Sequence, residues 1–114
     1  MTQIVYKLLR QSEWQQADKS GVFSGSADDL RDGFIHLSAP DQLRATFEKY
    51  FADEPEPILV GFDGNTLGPA LKWEFSRGGQ QFPHFYGVLD IGQALSVFQI
   101  RREAGKAIFP PEVP

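Results

Sequence analysis

The stretch DGFIHLSAPDQLRATFEKYF, residues 32–51, changes its periodicity in the middle, and that change sets the fold class. Its first part, GFIHL (33–37), is a short apolar run with a β-branched residue and two aromatic rings, which reads as a strand. Its second part places Leu43, Phe47, Tyr50 and Phe51 at i, i+4, i+7 and i+8, a single apolar stripe on a helix. Ser38 stands where a helix cap is expected, Pro40 suits a first turn, and Asp41 complements the positive end of the helix. The prolines of DEPEP (53–57) end it, because proline cannot continue the hydrogen-bond ladder.

Working outward, IVYKLL (4–9) mixes β-branched, aromatic and aliphatic residues and reads as the first strand. A short helix follows, with Ser12 and Gln15 in capping-box spacing, Trp14 and Ala17 on the core side, and Gly21 at its end. VFSGSADDLRDG (22–33) is turn-rich, with one helical turn at Asp28 to Leu30. After the central helix, ILVGF (58–62) is a strand and DGN (63–65) a turn. LKWEF (71–75) alternates: Leu71, Trp73 and Phe75 share one face, and Lys72 and Glu74 the other, the mark of a half-buried strand. SRGGQQ (76–81) is a polar loop, FPHFYGVLD (82–90) is aromatic and partly extended, and ALSVFQI (94–100) is the last strong strand. Residues 106–114 read as an irregular tail. The order predicts one α+β domain over 1–114, with two early helices and an antiparallel or split sheet late.

Bulk properties narrow the function classes. At 41% hydrophobic and 23% charged residues the chain is ordinary for a folded domain, and ten phenylalanines supply a core. The absence of cysteine excludes disulfides, zinc–thiolate sites and a cysteine nucleophile. No apolar run approaches the roughly 20 residues that span a bilayer, and the start lacks a signal-peptide pattern, so the expectation is a cytoplasmic protein without membrane partners. A net charge of −4 speaks against nucleic acid as partner. The one basic cluster, Arg101, Arg102 and Lys106, reads as solvated surface.

The chain has two histidines, each in an aromatic setting. On a strand His36 shares a face with Phe34, which leaves it either as a satisfied core histidine or as a group aimed into a cleft. Ser38 beside it is a helix cap, a ligand contact, or both. Glu74 reads as surface. His84, fixed behind Pro83 and flanked by Phe82, Phe85 and Tyr86, either lines an aromatic pocket or is packed. No G-x-S-x-G elbow, P-loop or dinucleotide glycine fingerprint is present, and no H-x-H or H-E-x-x-H spacing supports a metal site.

Taken together, YKLL, GVFSGSADDLRDGFIHLSAPDQL and LKWEFSRGGQQFPHFYG resemble the small bacterial family catalogued as domain of unknown function 952, over nearly the whole chain. The resemblance implies an ADP-ribosyltransferase-like fold with a split antiparallel sheet. It puts His36 and Ser38 of FIHLS at the nicotinamide–ribose end of a ligand, and Lys7 where a histidine is usual. It makes Glu74 or His84 the candidate for the third catalytic position, with Tyr86 as a cleft residue. The implied ligand is a small nucleotide or phosphate-bearing molecule, with NAD the candidate cofactor, either transformed or bound without turnover. A protein-interaction role through the aromatic surface at 82–86 is the alternative.

Overall fold

The computed structural model describes residues 3–114, apart from the side chain of Arg77. Strand β1 (Ile4–Leu9) is buried along almost its whole length because both its faces meet apolar clusters. On one side Val5 and Leu9 join Ile35, Leu37, Val60, Phe62, Phe85 and Leu89. On the other, Tyr6 and Leu8 join Leu43, Phe47, Leu59, Ile100 and Val113. The period of two puts Lys7 in the row of Val5 and Leu9, so an ammonium is carried into the first cluster and needs a counter-charge there.

Helix α1 (Gln11–Ser20) follows, then β2 (Val22–Phe23), α2 (Ala27–Asp32) and β3 (Ile35–His36). A 3-10 turn at Pro40–Gln42 leads into α3 (Leu43–Tyr50). Next come β4 (Ile58–Asp63), the short α4 (Gly64–Leu67), β5 (Leu71–Phe75), β6 (Gln81–Phe85), β7 (Leu89–Asp90), β8 (Ser96–Gln99), β9 (Arg101–Glu103) and β10 (Lys106–Ile108). Among the described residues this is a mixed α+β arrangement with four α-helices and several antiparallel sheets. Two three-stranded sheets, β1-β4-β8 and β3-β6-β5, form its frame. They are stitched together where Tyr6 and Ser38 exchange backbone hydrogen bonds of 2.8 and 2.9 Å.

Several expectations are corrected. Three helices, not two, precede the central strand, because the turn-rich segment 22–33 holds the six-residue α2. Ser12 caps nothing: α1 begins at Gln11, and Glu13 accepts the backbone N–H of Arg10 at 2.8 Å. Ser38 is no helix cap either. Its backbone is spent on the bridge to Tyr6, and the turn is closed by Gln42, whose side chain accepts from the Ala39 N–H at 3.0 Å. The α3 stripe buries Leu43 and Phe47 but leaves Tyr50 at 42% exposure, since the helix outruns the core. Phe75 is 74% exposed rather than inward, because it sits where β5 passes the edge of the core.

The DGN segment starts α4, with Asp63 accepting from the Asn65 N–H. The segment expected as an irregular tail contains β10, paired with β9, and its Val113 is buried in the second cluster. Arg102, expected as solvated surface, instead donates to the carbonyls of Phe51, Ala52 and Glu54 at 2.7–3.1 Å. It thereby satisfies the C-terminal end of α3 and the turn after it. Arg101 and Lys106 are exposed, as a solvated surface requires.

Candidate functional site

The site is the polar face of the sheet β3-β6-β5. Alternation sends Ile35, Leu37, Pro83 and Phe85 into the core and turns Phe34, His36, His84, Tyr86, Lys72 and Glu74 the other way. Register completes the arrangement: His36 lies directly opposite His84 on neighbouring strands. Their rings meet edge to face, with centroids 5.6 Å apart. Phe34 packs against three rings of this face. It stacks on His84 at 4.0 Å and touches His36 at 4.6 Å and Tyr86 at 5.3 Å.

Asp29 gathers the other half of the site. Ser26 caps α2, and the cap is reciprocal: Ser26 Oγ accepts from the Asp29 N–H at 3.2 Å, and Asp29 Oδ2 accepts from the Ser26 N–H at 2.9 Å. Gly33, at φ +86°, ends the helix in the left-handed region, and its N–H returns to the Asp29 carbonyl. The chain then doubles back into β3, which brings the His36 N–H to 3.1 Å and His36 Nδ1 to 2.6 Å from Asp29 Oδ1. Lys7 Nζ completes the shell at 2.9 and 3.2 Å from the two carboxylate oxygens, and also donates to the His36 carbonyl at 3.0 Å. Burial pushes the Asp29 carboxyl upward. The hydrogen bond from His36, the charge of Lys7 and the Ser26 N–H outweigh it and hold the group well below the usual carboxylate range.

The two histidines are anchored differently. His36 has a carboxylate on each side: Asp29 Oδ1 at Nδ1, and Asp32 Oδ2 2.9 Å from Nε2. His84 has one, Glu74 Oε1 at 2.8 Å from Nδ1. The same Glu74 oxygen accepts from the Tyr86 hydroxyl at 2.7 Å. These hydrogen bonds, from Tyr86 first and His84 second, lower the Glu74 carboxyl, and the same contact raises the Tyr86 phenol. An ionised carboxylate only accepts, so the ring nitrogen hydrogen-bonded to it, Nδ1 in both histidines, is the donor.

A cavity of about 420 Å³ opens over this face. Of the residues expected from sequence, Lys7, His36, Ser38 and His84 line it. Glu74 and Tyr86 do not; they stand behind His84 and touch the cavity only through it. Ser38 is buried and donates its hydroxyl to Thr46 Oγ1 at 3.3 Å. Lys7 is ion-paired rather than offered to a ligand. Asp29 and Asp32 escaped the sequence reading, and Phe34 entered it only as the residue that shares a face with His36. Ser26 and Asp29 at capping distance, together with a lysine in a buried strand row, were the signal for the first of them. Among the described residues no group of three or more histidines, aspartates or glutamates has metal-site geometry.

A family model described as "Protein of unknown function (DUF952)" matches residues 8–97. The crystal structure of protein CC0527 from Caulobacter crescentus is similar, with 40% sequence identity and a TM-score of 0.86 over 92% of this chain and 93% of that one. A crystal structure of a double mutant of CC0527 agrees equally well. The solution NMR structure of CC0527 gives a TM-score of 0.81 over 91% and 90% of the two chains. No curated protein matches significantly.

Proposed function

We propose, from the premise that the chain belongs to the DUF952 family, that its cavity receives the nicotinamide–ribose end of NAD or of an ADP-ribose-like nucleotide. The finer fold reading that goes with this is the ADP-ribosyltransferase type. Its support is the pair of three-stranded antiparallel sheets joined at the Tyr6–Ser38 bridge, with the cavity beside the junction. The observation that carries the functional reading is the His36–His84 register pair at the wall of one cavity of ligand size.

Charge selects the end of the nucleotide. Among the described lining residues Lys7 is paired with Asp29, Arg10 with Glu54, and Arg31 with Asp28 and Asp32. These cations are already neutralised, so a pyrophosphate gains little inside, whereas a ribose with its hydroxyls and an attached cationic ring meets acceptors. The test is an amide NMR titration with NAD, ADP-ribose and nicotinamide at millimolar concentration. Shifts at residues 34–38 and 82–87 are expected with NAD, and unchanged spectra with all three refute the reading.

A second reading, binding without turnover, is favoured by the position of Glu74. The carboxylate that would oppose an oxocarbenium-like charge is behind His84 instead of in the cavity wall. Release of nicotinamide from NAD by the wild-type protein, abolished in His84→Gln, decides against it.

A further inference from the structure

We infer that the two histidines have different jobs: His36 is held between the carboxylates of Asp29 and Asp32, and His84, oriented by Glu74, presents a basic ring nitrogen to the cavity. The inference deepens the nucleotide reading and takes its ligand from it, but its geometry is independent of any ligand.

A neutral imidazole has one N–H and one bare nitrogen. His36 is hydrogen-bonded to Asp29 through Nδ1 at 2.6 Å, and its Nε2 lies 2.9 Å from Asp32 Oδ2. Both ring nitrogens therefore face carboxylates of the protein. The ring is held between Asp29 and Asp32, with Phe34 packed against it. His84 differs in one contact. Its Nδ1 faces Glu74, which stands on the same sheet face but outside the cavity lining, and among the described residues no protein group is bonded to Nε2. With Nδ1–H directed at Glu74, the neutral ring has its lone pair on Nε2, the nitrogen remaining for the cavity that His84 lines. Stacking on Phe34 at 4.0 Å and 25° fixes the ring plane, and 4% exposure keeps bulk water from competing for it. Glu74 is thus a positioning residue, acting as a carboxylate does when it selects a histidine tautomer. Tyr86, donating to the same Glu74 oxygen, holds that carboxylate in place.

The ligand class follows. An acceptor at Nε2 calls for a ligand hydroxyl or a water molecule within hydrogen-bond reach. For hydrolysis of NAD the step balances as follows. The proton of a water molecule passes to Nε2, and the electron pair of that O–H bond becomes the new bond to the anomeric carbon. The carbon–nitrogen pair leaves with nicotinamide, whose ring becomes neutral, and the proton is later lost from Nε2 to solvent.

The test uses the whole protein labelled with ¹⁵N at its histidines, in a two-bond proton–nitrogen correlation spectrum at neutral to mildly alkaline pH. The expected pattern has His84 with protonated Nδ1 and bare Nε2, and His36 with its proton on the Nδ1 that faces Asp29. Glu74→Gln, at a partly exposed position that tolerates the change, is expected to convert His84 to a mixture of tautomers while the amide spectrum stays folded and His36 is unmoved. A wild-type His84 protonated at Nε2, or a His36 with a bare Nδ1, overturns the inference, as does a Glu74→Gln spectrum with His84 unchanged. Adding NAD then separates the two readings. A shift of the Nε2 resonance supports both, whereas the expected pattern with no response to NAD refutes the nucleotide and leaves the division of labour standing.

Discussion

Replacing Asp29 by Asn tests the electrostatic frame on which the cavity is built. Asp29 is 2% exposed and accepts from Lys7, from the backbone and ring of His36, and from the Ser26 N–H. Asparagine keeps the volume and one oxygen, but its amide turns a donor toward Lys7 or toward His36 Nδ1. A buried lysine is then left without its counter-charge, a change that typically costs about 3–5 kcal/mol. Against a total stability of about 5–15 kcal/mol, that is a fifth or more of the whole. At about 4 °C per kcal/mol for a chain of this size, the melting temperature should fall by about 12–20 °C.

The converse change, Lys7→Met, should cost less, about 1–3 kcal/mol, because Asp29 retains Ser26 and His36 as donors and methionine suits the apolar row of Val5 and Leu9. The pair should therefore be asymmetric. Urea unfolding of both variants, monitored by tryptophan fluorescence and analysed by linear extrapolation, measures this directly. A loss below about 1 kcal/mol in Asp29→Asn, or a larger loss in Lys7→Met, would refute the view that Asp29 is the hub.

Four further outcomes follow from the same structure. The Asp29 carboxyl is lowered on folding from its ordinary 3.8, so its contribution is complete above that value and is lost as pH falls through it toward the lower folded value. Urea midpoints measured from neutral pH down to about pH 2.5 should show the gap between wild type and Asp29→Asn narrowing below about pH 4. Arg102→Met should cost about 1–3 kcal/mol by leaving the carbonyls of Phe51, Ala52 and Glu54 without their donor, measurable as faster amide exchange at the end of α3. Gly61→Ala should destabilise by about 1–3 kcal/mol in a thermal melt, since a Cβ there meets Ser96 Oγ at 2.7 Å and the buried Tyr6 ring at 3.2 Å. Val113→Ala should cost about 1–2 kcal/mol by chemical denaturation, showing that the C-terminal segment belongs to the core.

What the sequence disclosed was the part encoded by local period. The apolar, β-branched run IVYKLL, the alternation in LKWEF and the stripe from Leu43 to Phe47 correspond to β1, β5 and α3, and the α+β class follows from their order. Local patterns mislead where a long-range contact takes the same atoms. Ser38 has the chemistry of a cap, but its backbone N–H and carbonyl are claimed by Tyr6, 32 residues away in sequence. Arg102 has the composition of a surface charge, but its guanidinium reaches carbonyls about 50 residues back. The site shows the same division. His36 and His84 stand out by rarity and aromatic company, and strand register then sets them side by side. Which carboxylate each histidine meets is invisible in a list of 15 acidic residues: only the turn at Gly33 joins Asp29 to His36, and only the pairing of β5 with β6 makes Glu74, expected as a catalytic group, a partner of His84.

The number of partners, rather than the presence of a histidine, separates the roles in this cavity. Lys7 and His36 carry the chemistry of anion recognition, yet each is saturated by carboxylates before any ligand arrives. Such groups hold shape: moving one would strand a buried charge, so the wall they form is stiff at the cost of its own reactivity. His84 retains a single carboxylate partner and a stacked neighbour, which fixes its plane and leaves one valence open. A rigid, internally neutral wall around one oriented basic nitrogen suits a ligand recognised by its hydroxyls more than by its phosphates. It makes nicotinamide riboside, which lacks the pyrophosphate, the discriminating comparison with NAD. Binding of the two within about tenfold, roughly 1.4 kcal/mol, places recognition in the cavity, whereas a hundredfold or greater preference for NAD moves it onto phosphate contacts that the paired cations do not supply.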